Sequence, residues 1–224
     1  MASLKISMAC WMIADEQATR RKTAAAAVAG VPTVAGGGPF EIAVAQGRLP
    51  HYLELCADVG LRRIECAEGF TRLKESPQQI VSMANERGLD VEFELGEKHA
   101  GEFGKREVDR LIGQGRDWLE AGAVCLVIEA RESAAGVGLF DERGTFQAKL
   151  AEEFVDAFGL ERVVFEAPVK SSQFATLDHF GPEVRLSNVR LEELLRVEIY
   201  RRGLHSDAFR RENLRPPRPP GAGT

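Results

Sequence analysis

The feature that most limits how this chain can fold is a unit that recurs along it: a helix-like stretch closing in glycine, then an apolar run. Gly30, Gly60, Gly88, Gly122, Gly159 and Gly181 each stand at such a junction. Glycine there takes the left-handed conformation that ends a helix without a side-chain penalty, and the chain passes into a strand. The junctions predict strands near 31–35, 61–66, 89–95, 123–130, 160–167 and 182–188, with a further strand at about 3–9. Helices are expected at about 15–29, 40–59, 76–87, 105–121, 146–158, 171–180 and 190–203. Ser76-Pro77-Gln78-Gln79 shows the local detail: a capping serine, proline at the first helical position, and glutamine completing a capping box. Strands alternating with helices at this period mean a parallel α/β protein.

Four of the apolar runs end alike, in glutamate: Arg62-Arg63-Ile64-Glu65, Val91-Glu92-Phe93-Glu94, Leu126-Val127-Ile128-Glu129 and Val163-Val164-Phe165-Glu166. In a ring of parallel strands the C-terminal ends face one mouth, so the four carboxylates would converge there. Like charges at one site must be offset by a metal ion, other cations or shared protons. An open doubly wound sheet would concentrate its binding residues at one switch point, whereas polar endings here recur strand after strand. The expected fold is therefore a (β/α)8 TIM barrel. It is incomplete, with about seven βα units in 224 residues, and the missing unit is expected before residue 1.

Composition narrows the function classes. The net charge is −5, with no basic stripe interleaved with aromatics, so nucleic acid is not an expected partner. No apolar stretch is long enough to span a membrane. Met1 to Ile13 lacks the basic flank and cleavage site of a leader. Cys10, Cys56, Cys66 and Cys125 show no CxxC spacing and read as reduced core residues of a cytoplasmic protein. One domain is expected over 1–209, followed by a disordered Pro/Arg-rich tail over 210–224. Seven units leave two unpaired strand edges, so self-association into a homo-oligomer is a further expectation.

Several motifs in register resemble the phosphosulfolactate synthase family. They are Ile128-Glu129-Ala130-Arg131-Glu132-Ser133 with Gly136-Val137-Gly138-Leu139-Phe140-Asp141, and Phe165-Glu166-Ala167-Pro168 with Lys170 and Gln173. Phe40-Glu41-Ile42-Ala43 with Gln46-Gly47, and Arg201-Arg202-Gly203-Leu204 before Asp207, extend the match, as do Lys5 and Lys22. The resemblance implies an eight-stranded barrel lacking its first strand here, and a magnesium-dependent addition of sulfite to phosphoenolpyruvate. Small anionic substrates are then the expected partners and Mg2+ the expected cofactor.

That reaction asks for a proton donor, anion-binding groups and oxygen ligands for the metal. Lys98, aligned with a family lysine, is the expected proton donor. Arg131 and Glu129 share one strand end, with Arg131 suited to an oxyanion. Glu65, Glu94 and Glu166 are the expected metal ligands. Lys5, Lys170, the backbone at Gly36 and Gly37, and the donors Ser187 and Asn188 are expected to bind substrate anions. His99 and His205 are weaker candidates. The chain departs from the family pattern at Gly38, Glu68, Phe70, Glu97, Arg185, Ser187 and His205-Ser206, several of them at the mouth. An alternative is a non-catalytic barrel acting through protein partners, like plant heat-stress relatives of the family.

Overall fold

The computed structural model describes residues 3–97 and 99–214. Seven strands lie in one sheet in sequence order: β1 (Leu4–Ile6), β2 (Thr33–Ala35), β3 (Arg63–Ala67), β4 (Asp90–Leu95), β5 (Leu126–Ile128), β6 (Val163–Glu166) and β7 (Arg185–Ser187). Every neighbouring pair is parallel. Helices α1 (Cys10–Ile13), α2 (Glu16–Val28), α3 (Gly37–Ala45), α4 (Leu49–Asp58), α5 (Pro77–Asn85), α6 (Lys105–Ala121), α7 (Ala148–Phe158), α8 (Lys170–Phe180) and α9 (Leu194–Arg201) fall between and after them. All six junction glycines adopt positive φ, between 68° and 109°. The Ser76 capping box forms at the start of α5.

The sheet is curled. The Lys5 ammonium on β1 lies 3.4 Å from the Glu166 carboxylate on β6. In a flat sheet, five strand spacings would separate them by about 24 Å. Alternation along the strands sorts the two faces. Ile64 and Cys66, Phe93 and Leu95, Ile128 and Phe165 point outward into the apolar core beneath the helices. Trp118 of α6 stacks on Phe93 with ring centroids 4.2 Å apart, and Phe180 of α8 on Phe165 at 5.1 Å. Charged and polar residues line the inner face, so this curled part-barrel is greasy outside its sheet and ionic within.

Several expectations need correction. The helix expected over 40–59 is two helices, α3 and α4, parted at Gly47, where φ is +66°. The α3 helix starts earlier than 40: Gly36 is its N-cap and Gly37 its first residue. The first strand is shorter than 3–9, because the chain turns at Met8 and forms α1. Cys10 is exposed rather than in the core, whereas Cys56, Cys66 and Cys125 are buried and free. Residues 211–214, expected to belong to the tail, pack against α8. Leu214 is buried, Asn213 donates to the Asp178 carbonyl at 2.7 Å, and Arg211 pairs with Asp178 at 3.0 Å. Residues 215–224, and with them most of the expected tail, lie outside the described residues.

Candidate active site

Glu65, Glu94, Glu129 and Glu166 are all buried at the C-terminal end of the sheet. Oxygens of Glu65, Glu94 and Glu166 lie within 4.8 Å of one another. Backbone donors fix the geometry. The Gly37 N–H donates to Glu65 Oε1 at 2.9 Å, the Ala130 N–H to Glu166 Oε2 at 3.0 Å, and the Arg131 N–H to Glu129 Oε1 at 2.6 Å. Asn188 Nδ2 donates to Glu166 Oε1 at 2.5 Å. The one short-range cation described among them is Lys5, with Nζ 2.7 Å from Glu65 Oε2 and 3.4 Å from Glu166 Oε1.

The charges perturb one another. Burial pushes the Glu94 carboxyl well above its ordinary range, and Glu65, Glu129 and Glu166 push the same way against the pull of Lys5. Burial likewise raises Glu166 to about 7, opposed by Lys5 and reinforced by Glu129 and Glu65. For Lys5 burial disfavours the charge, yet the attraction of Glu65, Glu166 and Glu94 outweighs it and holds the ammonium on. One lysine cannot offset so many carboxylates, so the cluster either keeps protons or takes another cation. A hard divalent cation suits the trio of Glu65, Glu94 and Glu166: its donors are all carboxylate oxygens, gathered within 4.8 Å of one another.

A cavity of about 460 Å³ opens at the loop after β5, lined by His99, Arg131, Glu132, Ser133, Gly136 and Val137, and joined to the cluster through the Arg131 N–H on Glu129. Four described non-glycine residues have strained backbone, two of them in the loop that lines the cavity. Arg131 and Ala134 sit at φ 55° and 49°, and Met8 and Asn188 hold φ 56° just past β1 and β7. Non-glycine residues in this region are costly, and they gather where loops are shaped for a ligand. Arg131 is exposed, so its side chain is available to an anion.

Other expected residues are placed differently. Lys170 opens α8, pairs with Asp207 at 2.9 Å and lies over the Phe174 ring. The Gly37 amide is committed to Glu65. Ser187 ends β7 with a buried hydroxyl that lacks a hydrogen-bond partner. His205 accepts from the Asp207 N–H. Lys98 lies outside the described residues.

Sequence reasoning missed a second polar layer beneath the first. Arg63 donates to Glu92 at 3.1 Å, and the Cys125 thiol lies 3.7 Å from the same carboxylate. Burial, then Glu65, raises the Glu92 carboxyl. The signal was available: Arg63 and Glu92 stand two residues before Glu65 and Glu94, so strand alternation puts them on the same inner face. Glu41 was also overlooked as a structural group. It is fully buried in α3 and accepts the Phe70 and Thr71 N–H groups at 2.8 and 2.9 Å, anchoring the loop after β3.

Residues 2–207 match the family described as (2R)-phospho-3-sulfolactate synthase (ComA). The chain belongs to that family. It is thereby a lyase-type enzyme. It is 32% identical over 181 residues to the phosphosulfolactate synthase of Methanocaldococcus jannaschii, covering 80% of this chain and 72% of the relative. Against the Methanothermobacter thermautotrophicus enzyme identity is 32% over 180 residues, covering 80% and 70%. Against that of Bacillus subtilis it is 29% over 177 residues, covering 78% and 69%. Among solved structures it is similar to an archaeal fructose-1,6-bisphosphate aldolase (15% identity, 70% of this chain, 57% of that chain, TM-score 0.43) and to 2,3-dimethylmalate lyase (10%, 81% and 65%, TM-score 0.43).

Of the positions expected to differ within this phosphosulfolactate synthase family member, two are tied to neighbours. Glu68 accepts the Leu73 N–H at 3.0 Å and the Gln114 side chain at 2.6 Å. Glu97 pairs with Arg72 at 2.7 Å and lies 4.0 Å from Arg110, joining the loops after β3 and β4. Arg185 lies exposed on β7. No described helix is long and apolar enough to cross a membrane.

Proposed function

We propose that this chain adds sulfite to phosphoenolpyruvate with the help of magnesium, forming phosphosulfolactate. The observation that carries the reading is the convergence of Glu65, Glu94 and Glu166 to within 4.8 Å of one another, in a chain of this family. In the reaction the sulfur lone pair of sulfite forms a bond to the methylene carbon. The double-bond electrons move toward the carboxylate, and a proton is then delivered to the neighbouring carbon. When bound, the metal supplies a Lewis acid for the developing carboxylate charge.

The chain's own residues have definite tasks. Glu65, Glu94 and Glu166 would hold the cation, two of them already oriented by the Gly37 and Ala130 amides. Arg131, with its backbone tied to Glu129, presents a guanidinium to an anionic group of the substrate. Lys98, just past the strand that carries Glu94, is proposed as the proton donor on its family correspondence. Burial of the carboxylates keeps water from screening these charges.

The test is to incubate the chain with phosphoenolpyruvate, sulfite and Mg2+ and follow the vinyl proton and phosphorus signals. The folded protein is expected to consume phosphoenolpyruvate only when sulfite is present. Lys98→Ala is expected to lower the rate by about 10²- to 10⁴-fold, the usual contribution of a positioned acid. Folded protein that turns over nothing would overturn the proposal and favour the binding-only barrel. Full activity in Lys98→Ala would remove that residue's role.

A further inference from the structure

We infer that Lys5 is a tethered cation that occupies the carboxylate trio until a divalent metal replaces it, its ammonium then passing to the anionic substrate. The inference rests on the reading above that Glu65, Glu94 and Glu166 hold the metal.

Geometry carries the argument. Both oxygens of Glu65 are engaged, Oε1 by the Gly37 amide and Oε2 by Lys5. Both oxygens of Glu166 are engaged too, Oε2 by Ala130, and Oε1 by Asn188 and Lys5. The backbone amides can stay where they are when a metal binds, because a carboxylate oxygen has a lone pair to spare. The ammonium cannot. It lies against the two carboxylates that would take the ion, and two cations in contact repel strongly inside a buried site.

Lys5 can leave without breaking the fold around it. Its backbone belongs to β1, which has one strand neighbour among the described residues, and 17% of its side chain remains exposed. A long aliphatic stem lets the ammonium swing several ångströms while the strand stays paired. An arriving phosphate or carboxylate gives it a new partner. Metal and anion therefore help one another to bind, and the coupling runs through this one side chain. Lys5 is a positioning residue in this scheme, since it sets the occupancy of the carboxylates.

The test is Mn2+ binding, read as free Mn2+ by electron paramagnetic resonance, in the full chain and in Lys5→Met and Lys5→Arg. Wild type is expected to bind weakly and Lys5→Met at least tenfold more tightly. Lys5→Arg, which keeps the charge, is expected to stay within a few-fold of wild type. Inorganic phosphate is expected to tighten Mn2+ binding to wild type and to leave Lys5→Met unchanged. A purely structural lysine would give the opposite: its loss would scatter the carboxylates and weaken the metal. Equal or weaker binding by Lys5→Met therefore overturns the inference while the metal reading stands. No Mn2+ binding by any form overturns both. If Lys5→Met is unfolded alone, refolding on Mn2+ addition supports the inference, and failure to refold counts against it.

Discussion

At the scale of single residues, Glu166 shows how one carboxylate is bent by its surroundings. Burial raises it to about 7, and Glu129 and Glu65 add to that while Lys5 opposes it. A carboxyl whose folded pKa exceeds its unfolded value binds its proton more tightly when folded. The folded state then holds a proton that the unfolded chain has already released, across the window from about 4.5 to about 7. Stability must fall as pH rises through that window, by about 1.4 kcal/mol per unit for a whole proton, and level off above it. Glu94, raised in the same sense, steepens and extends the fall. The raised Lys5 acts only in the alkaline range, where its contribution is lost as the ammonium finally deprotonates. Urea midpoints of the metal-free protein from pH 5 to 8 are expected to decline, and Glu166→Gln is expected to flatten the slope by up to one proton. A midpoint rising over this range would show that the cluster is not desolvated as described.

At the scale of elements, α6 holds an internal control. Gly113 faces open space, with nothing near where a Cβ would stand, whereas a Cβ on Gly115 would come 2.6 Å from Phe158 Cζ and 2.8 Å from Leu126 Cδ1. Gly113→Ala is expected to stabilise by about 0.5–1 kcal/mol through helix propensity and a stiffer unfolded chain. Gly115→Ala is expected to destabilise by about 1–3 kcal/mol through overpacking against α7 and β5. Thermal melts of the two variants moving in the same direction would contradict this packing. How far the elements could be read from sequence follows the same local logic. Strand positions and glycine stops came through because each depends on a few adjacent residues: Gly60, Gly88 and Gly122 declare their left-handed turns by themselves. The break between α3 and α4 was passed over although Gly47 carried the same signal, because apolar residues on both sides made one continuous helical pattern. The four mouth glutamates were visible as repeated strand endings. The Lys5 bridge to Glu166 was not, since it depends on the curl of the whole sheet rather than on any stretch of 10 or 20 residues.

For the whole molecule, stability and chemistry are divided between the two faces of one sheet. The apolar core lies between the strands and their helices, while the concave face holds Lys5, Arg63, Glu65, Glu92, Glu94, Glu129 and Glu166. Strands β3 to β6 are flanked on both sides and almost wholly buried. Strands β1 and β7 each have one strand neighbour among the described residues and are partly exposed. Local opening should therefore begin at the rims and reach the centre only with global unfolding. Amide hydrogen exchange is expected to be slowest in β4 and β5 and fastest among the strands in β1 and β7. The Lys5 pairs with Glu65 and Glu166 tie the β1 rim to β3 and β6 across the hollow. Removing them by Lys5→Met, in the absence of metal, should hasten exchange in β1 by a larger factor than in β4. The central strands draw their protection from the outer apolar core, which the substitution leaves intact. A uniform acceleration over all seven strands would mean that the ionic interior, rather than that core, holds the molecule together.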